Sequence, residues 1–292
     1  MTAVTVSCTP QTLILSVTSQ CSATVQGGSG NSAVTWSASA GTIASTGLFT
    51  APLIPGMVTV KATSVVDGAV SGTAVLTVVL PIPLSKHVVL VMEGNQSYST
   101  VAGDSTDWPQ LNNLISKGSL PTNYYADSTS SIANSYMLTT GQVLTADNSS
   151  TRVWKVDNIA RRMLAAGVSF KVDAEGITQG YLGGDTGLYV IRHNPFAMFS
   201  DVADNPQVAN KTIWPFKQFA ADLANHALPR FSFIVPNTAD DADIATPLQA
   251  DAWLQTHVIA PLSASPAFQP RGDGLLIVVF DESANSDPAH GG

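Results

Sequence analysis

At 292 residues and 30.4 kDa, with 45% hydrophobic and 12% charged side chains, the chain has apolar material for one large core or two modest ones and lies outside the disordered class. Thirteen basic against 21 acidic residues give a net charge of −8, which offers no electrostatic footprint for nucleic acid or for an anionic membrane surface. No apolar run reaches the ~18–20 residues of a spanning helix; the longest, Val75 to Pro83, is interrupted by Thr77 and by proline.

The opening Met-Thr-Ala-Val-Thr-Val carries neither the charged nor the apolar region of a leader peptide. Cys8 and Cys21 are the only cysteines and lie in a Ser/Thr-rich, almost uncharged segment, a composition of secreted β-modules. The expectation is therefore a mature secreted or extracytoplasmic chain whose leader has been removed, with the two cysteines either bridged or left as buried thiols. Of all the charged residues only Lys61 and Asp67 fall within 1–80, which marks a first domain over 1–80. Alternating runs at Thr12–Val17, Cys21–Val25, Ala33–Ala38, Met57–Ser64 and Ala69–Val79, separated by turn residues, predict an antiparallel β-sandwich with Trp36 between its sheets.

Pro81-Ile-Pro83-Leu84 reads as a stiff linker over 81–85. In residues 86–292 the pattern changes. Continuous apolar runs at His87–Met92, Ser232–Val235 and Leu275–Phe280 suit parallel strands covered on both faces. Helical patterns lie between them at Trp108–Lys117, Val156–Ala166, Trp214–Asn225 and Ala250–Leu262, so the second domain is read as α/β with a mainly parallel sheet flanked by helices. Ligands of such sheets gather at the carboxyl ends of the strands. Here those ends carry Glu93-Gly-Asn95, Asn237 with Asp240, Asp241 and Asp243, and Asp281-Glu282. Like charges brought together raise each other's pKa unless a proton or cation holds them, and hard divalent ions prefer such oxygens.

The residues also carry two resemblances. Val34-Thr-Trp-Ser, Gly41-Thr-Ile, Thr46-Gly-Leu-Phe-Thr-Ala-Pro52 and Val58-Thr-Val-Lys-Ala-Thr63 resemble the bacterial Ig-like modules of secreted and surface proteins. That resemblance implies first strands side by side, a Cys8–Cys21 disulfide, and a module able to bind a cell surface or glycan. The second runs from His87-Val-Val-Leu-Val-Met-Glu93-Gly-Asn-Gln-Ser-Tyr98 through Thr122-Asn-Tyr-Tyr-Ala126 and Asp127-Ser-Thr-Ser-Ser131-Ile-Ala-Asn134 to Arg192-His-Asn-Pro-Phe196, Val235-Pro-Asn237 and Asp281-Glu-Ser283. It resembles the phosphoesterase family that includes bacterial acid phosphatases and phospholipases C, within the alkaline phosphatase superfamily.

What this second resemblance implies is a metal-dependent hydrolase of phosphate esters. Ser131 would be the nucleophile at the start of a helix, where backbone N–H groups favour phosphate; the residues alone leave Ser128, Ser130 and Ser131 open. His193 would lie near the phosphate or leaving group, Asn95, Asn134 and Asn194 would bind substrate, and Glu93, Asp241, Asp243, Asp281 and Glu282 would hold a divalent ion: Mg²⁺, Ca²⁺, Mn²⁺ or Zn²⁺. Three departures stand out. Gly94 interrupts the usual Met-Glu-Asn, Thr129-Ser130 replaces His-Pro, and Asp243 falls where His is common. Relatives continue beyond a His-Gly-Gly like His290-Gly-Gly292 with a further strand and histidine, so the chain is expected to be C-terminally incomplete. The alternative reading is a non-catalytic surface or binding protein with a degenerate phosphoesterase domain.

Overall fold

A computed structural model of the chain describes residues 3–27, 30–79, 85–270 and 272–284. Residues 81–84 of the expected 81–85 linker, and Asp287 and His290 of the tail, lie outside the described residues. The chain divides into two compact units, Met1–Pro83 and Leu84–Gly292.

The first unit is built of β1 (Ala3–Thr9), β2 (Thr12–Ile14), β3 (Thr18–Gln26), β4 (Val34–Ala38), β5 (Thr42–Ile43), β6 (Leu48–Thr50), β7 (Gly56–Ser64) and β8 (Ser71–Val79). They form two four-stranded sheets, ordered β1-β3-β6-β5 and β2-β8-β7-β4. Period-2 alternation decides which side is buried: along β7 Val58, Val60 and Ala62 point inward and Met57, Thr59 and Lys61 outward. Both sheets contribute to one core of Cys8, Leu13, Cys21, Phe49, Val58, Val60, Leu76 and Val78. Cys8 and Cys21 stand opposite each other in the β1–β3 register and are bridged. Two expectations are corrected. The sandwich is not purely antiparallel, because β2 runs parallel to β8; and the centre of the core is the fully buried Phe49, with Trp36 packed against it and only partly covered.

The second unit holds β9 (His87–Glu93), β10 (Phe170–Ala174), β11 (Ile213–Pro215), β12 (Phe231–Val235) and β13 (Gly274–Phe280) in one sheet of order β11-β10-β12-β9-β13, with every pairing parallel. The helices are α1 (Tyr98–Val101), α2 (Pro109–Ile115), α3 (Ser131–Thr140), α4 (Ile159–Ala165), α5 (Ser200–Ala203), α6 (Pro206–Thr212), α7 (Lys217–Ala224), α8 (Pro247–Leu254) and α9 (Ala260–Ala264), with a π-helical turn at Gln255–Ile259 joining the last two. One face of the sheet, through Leu90, Met92, Val172, Ala174, Phe233 and Val235, packs under Ile132 and Tyr136 of α3 and the aromatic segment around Phe196 and Phe199. The other, through Val89, Val91 and Ile234, packs under Trp108, Phe219, Trp253 and Leu254. Burial on both sides is why β9 and β12 read as unbroken apolar runs; the expectation of two covered faces is corrected for β13, which ends the sheet among the described residues and leaves Leu275 and Ile277 exposed. Strand β10 escapes that signal because Lys171 and Asp173 interrupt it, and Trp214, expected to open a helix, lies in the edge strand β11.

Among the described residues no helix is long and apolar enough to cross a membrane.

Candidate active site

Strand β9 lies between β12 and β13, so its end is where carboxylates from three strands meet. Residues 89, 91 and 93 share one face of the pleat. Glu93 is consequently fully buried, and neither of its carboxylate oxygens has a hydrogen-bond partner. On one side β13 pairs Phe280 with Glu93, the amide of Asp281 donates to the Glu93 carbonyl at 2.9 Å, and Asp281 Oδ1 accepts the amide of Asn95 at 3.1 Å. On the other, the turn after β12 brings in Asp241, also fully buried, whose carbonyl accepts the Gly94 amide at 2.6 Å. Burial first, and then the neighbouring Asp241, Asp251, Asp240 and Asp281, push the Glu93 carboxyl well above its ordinary range.

His193 stands between two of these acids. Its Nδ1 is 3.1 Å from Asp241 Oδ2 and its Nε2 is 3.3 Å from Asp281 Oδ2, with the imidazole and both carboxylates buried. Burial pulls its pKa down, but the two carboxylates outweigh that and carry it to about 9, so the ring is an imidazolium at neutral pH and balances part of the acidic charge. These are ion-pair distances without hydrogen-bond alignment: Nε2 of His193, Oδ2 of Asp241 and Oδ2 of Asp281 stay unsatisfied, as do both Glu93 oxygens, Asn95 Oδ1 and Glu282 Oε2. Buried oxygens left without a donor are costly unless something else binds them. Hard oxygen donors of this kind suit Mg²⁺, Ca²⁺ or Mn²⁺, so the donor set fits a divalent ion. Among the described residues no three His, Cys, Asp or Glu side chains are already spaced to hold one.

Ser131 opens α3 beside this cluster. Its buried hydroxyl donates to Glu282 Oε1 at 3.0 Å, joining the helix N-terminus to the end of β13. Burial first, and then Asp281, raise the Glu282 carboxyl, while the Ser131 hydrogen bond opposes them. Ser130, at the N-cap position, caps nothing: its hydroxyl donates to the Ala146 carbonyl at 3.0 Å and to Asn148 Oδ1 at 2.8 Å. The cap comes instead from Asn148, whose Oδ1 accepts the Ile132 amide at 3.1 Å. Of the three serines left open by the sequence, Ser131 is the one whose hydroxyl reaches the acidic cluster.

The asparagines divide. Asn95 joins the cluster, its amide group donating to Asp243 Oδ1 at 3.2 Å. Asn134 is consumed by the preceding loop, accepting the amides of Asp127 and Ser128 and donating to the Ser128 carbonyl. Asn194 is fully buried, accepts the Ala197 amide and donates to the Tyr189 hydroxyl at 3.1 Å. Both are thus structural ties in this arrangement. Asp243 is likewise engaged, by the Arg192 guanidinium as well as by Asn95. The sequence reading missed Asn148, which acts on α3 from beyond its far end, and Asp251, whose two oxygens cap α2 at the Gln110 and Leu111 amides from α8. Neither leaves a local signal, since a cap supplied by a distant segment has no fixed spacing.

Residues 104–287 match the phosphoesterase family. The chain belongs to that family. Among curated proteins this phosphoesterase chain is 29% identical over 208 residues to a phosphatidylinositol-3-phosphatase of Mycobacterium tuberculosis, covering 70% of this chain and 66% of the relative. It is 29% identical over 238 residues to a probable acid phosphatase of Kluyveromyces lactis, covering 75% and 53%, and 31% identical over 180 residues to a phosphate-repressible acid phosphatase of Penicillium chrysogenum, covering 59% and 43%. The phosphoesterase chain therefore spans between two fifths and two thirds of the length of these relatives.

Proposed function

We propose that this chain is a phosphoric ester hydrolase that works through Ser131 with a divalent cation held by Glu93, Asp281, Asp241 and the Asn95 carbonyl. The observation that carries the proposal is the Ser131 hydroxyl, bonded to Glu282 at 3.0 Å at the mouth of a helix and beside buried carboxylate oxygens that lack any donor. Relatives named as acid phosphatases and as a phosphatidylinositol-3-phosphatase support the reaction class, as does the match to the phosphoesterase family.

In this mechanism Glu282 Oε1 takes the Ser131 proton as Oγ attacks phosphorus. The ester oxygen leaves with its bonding pair and takes up, through solvent, the proton that Glu282 accepted, and the first-turn amides of α3 other than that of Ile132, which Asn148 holds, would face the phosphoryl oxygens. The resulting phosphoserine is hydrolysed by water, which returns the proton to Ser131 and frees phosphate. A divalent cation bound at the carboxylates would neutralise charge developing on the phosphoryl group. His193 keeps Asp241 and Asp281 apart and oriented.

The substrate class is a phosphomonoester or a phospholipid headgroup ester. The first unit is proposed as an Ig-like module of an exported protein, able to engage a cell surface or glycan. Its two-sheet core and disulfide support that reading.

The test is p-nitrophenyl phosphate hydrolysis after chelation, with Mg²⁺, Mn²⁺, Ca²⁺ or Zn²⁺ restored one at a time. Turnover that needs a cation and disappears in S131A is the expected result. No turnover with any of the four, from a chain extended to the relatives' full length, would favour the second reading, a degenerate binding domain. The engagement of Asp243 by Arg192 is the observation on its side.

A further inference from the structure

The turn after β12 that delivers Asp241 is an improbable piece of backbone. Ala242, buried between Asp241 and Asp243, sits at φ 67°, in the left-handed region that a residue with a Cβ avoids at a cost of ~1–2 kcal/mol. Conformations of that kind persist only where the surroundings fix them. One residue outside the acidic cluster does the fixing at the start of the turn. Glu175, the first residue past β10, has its amide bonded to the Val235 carbonyl at 3.0 Å, which ties it to the end of β12. Its Oε2 then accepts both the backbone amide of Asn237 at 3.0 Å and the Asn237 side-chain amide at 2.8 Å, while its Oε1 accepts the indole N–H of Trp253 at 3.2 Å.

Asn237 passes that constraint on. Its carbonyl accepts the amides of Asp240 at 2.8 Å and Asp241 at 3.1 Å, its Oδ1 accepts the Ala239 amide at 2.9 Å, and its amide also donates to Asp240 Oδ2 at 2.7 Å. Asp241 Oδ1 in turn accepts the Asp243 amide at 2.9 Å, and its Oδ2 faces His193. A continuous set of contacts thus runs from Trp253 through Glu175, Asn237 and Asp241 to His193 and Asp281.

We propose that Glu175 is a positioning residue that sets the Asn237–Asp243 turn and thereby places the Asp241 carboxylate against His193. Glu175 is not bonded to Ser131, Glu93, Asp241 or Asp281; it reaches the turn through Asn237 and the neighbouring Asp240 carboxylate. The consequence for turnover rests on the phosphoesterase mechanism proposed above; the consequence for the His193 ring does not.

The experiment therefore reads both. In E175A both acceptor oxygens are lost. The expected result is a kcat lowered about 10- to 100-fold with KM within about threefold, the size typical of residues that orient a ligating or catalytic side chain. The imidazole resonances of His193, assigned by their loss in H193Q and read in ¹H–¹⁵N spectra, should move at the same time. E175Q keeps one acceptor for Asn237 and cannot accept from Trp253, and W253F removes that same bond from the other side. These two should therefore agree, with a loss of about two- to fivefold and a smaller displacement in the same direction. Should E175A not fold, as judged by circular dichroism, E175Q and W253F decide the matter by the same two readouts. Folded variants whose His193 resonances coincide with those of the unaltered protein overturn the proposal. An unaltered protein that hydrolyses no phosphate ester overturns the proposed function alone, and the displacement of the His193 resonances still decides the role of Glu175.

Discussion

The amide of Gly94 donates to the carbonyl of Asp241 at 2.6 Å, so the loop leaving β9 lies backbone to backbone on the turn leaving β12. This contact gives a physical reason for the glycine between Glu93 and Asn95. A Cβ at residue 94 would lie 3.0 Å from the Asp243 Cβ, 3.1 Å from its amide nitrogen and 3.2 Å from the Asp241 carbonyl. The neighbours that would have to give way include backbone already held in a left-handed turn at Ala242. G94A should therefore destabilise the protein by about 1–3 kcal/mol, read as a lower denaturation midpoint in urea at unchanged slope. A midpoint equal to that of the parent would show that the two loops are free to separate.

Ser130 and Ser131 are adjacent, yet their hydroxyls serve different ends. Ser131 bonds to Glu282, whereas Ser130 bonds to the Ala146 carbonyl and to Asn148. S131A should lower kcat by about 10³-fold or more, the order seen when a nucleophile is removed, and lose about 1 kcal/mol with its bond to Glu282. S130A should lose a similar amount from its own hydrogen bonds but retain activity. Steady-state rates on the pair separate the roles and urea midpoints read the losses in stability; a reversed pattern of activity would move the nucleophile by one residue.

Strands β9 and β12 were readable from the residues because burial on both faces leaves an apolar run, whereas β13 reads the same way although it ends the sheet among the described residues and leaves Leu275 and Ile277 exposed. The order of the three strands was also enough to bring Glu93, Asp241 and Asp281 to one edge. Strand β10 was not readable: Lys171 and Asp173 point to one face and break the run, and the structure accommodates them by pairing Lys171 with Asp222 of α7. In the site, residue type gave the acids but not their company. That Asp243 is taken up by Arg192 and Asn95, and Asn134 by its own loop, depends on which donors the fold brings within 3 Å or so. Sequence spacing carries no record of that. Asn148 shows the same limit from the other side, since a helix cap borrowed from a segment outside the helix has no motif.

Cys8 and Cys21 are paired across β1 and β3, are both nearly inaccessible, and are separated by 13 positions in the chain. A bridge closing a loop of that size stabilises by about 3 kcal/mol through the entropy it removes from the unfolded chain. The double variant C8A/C21A should lose an amount of that order, read in the urea transition of the parent and variant without reductant. Reductant should lower the parent's stability and leave the variant's unchanged. A variant as stable as the parent would mean that packing around Phe49 and Leu76 suffices without the bridge.

Asp173 points into the face of the sheet that carries Lys171, is fully buried, and has no hydrogen-bond partner on either oxygen. Burial drives its pKa from 3.8 up to about 8; Lys171 opposes the rise and Asp222 adds to it. The folded protein therefore holds this proton through neutral pH, whereas the unfolded chain releases it in the ordinary carboxylate range. Between about pH 4 and the folded value of about 8 the folded state binds more protons than the unfolded one, so this group's contribution to stability is fully present at the acidic end and declines as pH rises. The decline is about 1.4 kcal/mol per pH unit while it lasts, and it stops once both states are ionised. D173N, which cannot ionise, removes the slope and leaves every other titration in place. The stability of the parent minus that of D173N, measured in urea at about pH 5 and again at about pH 8, should fall by several kcal/mol across the interval. A difference that stays flat would mean that Asp173 is ionised in the folded protein and that the Lys171–Asp222 pair, or water, satisfies it.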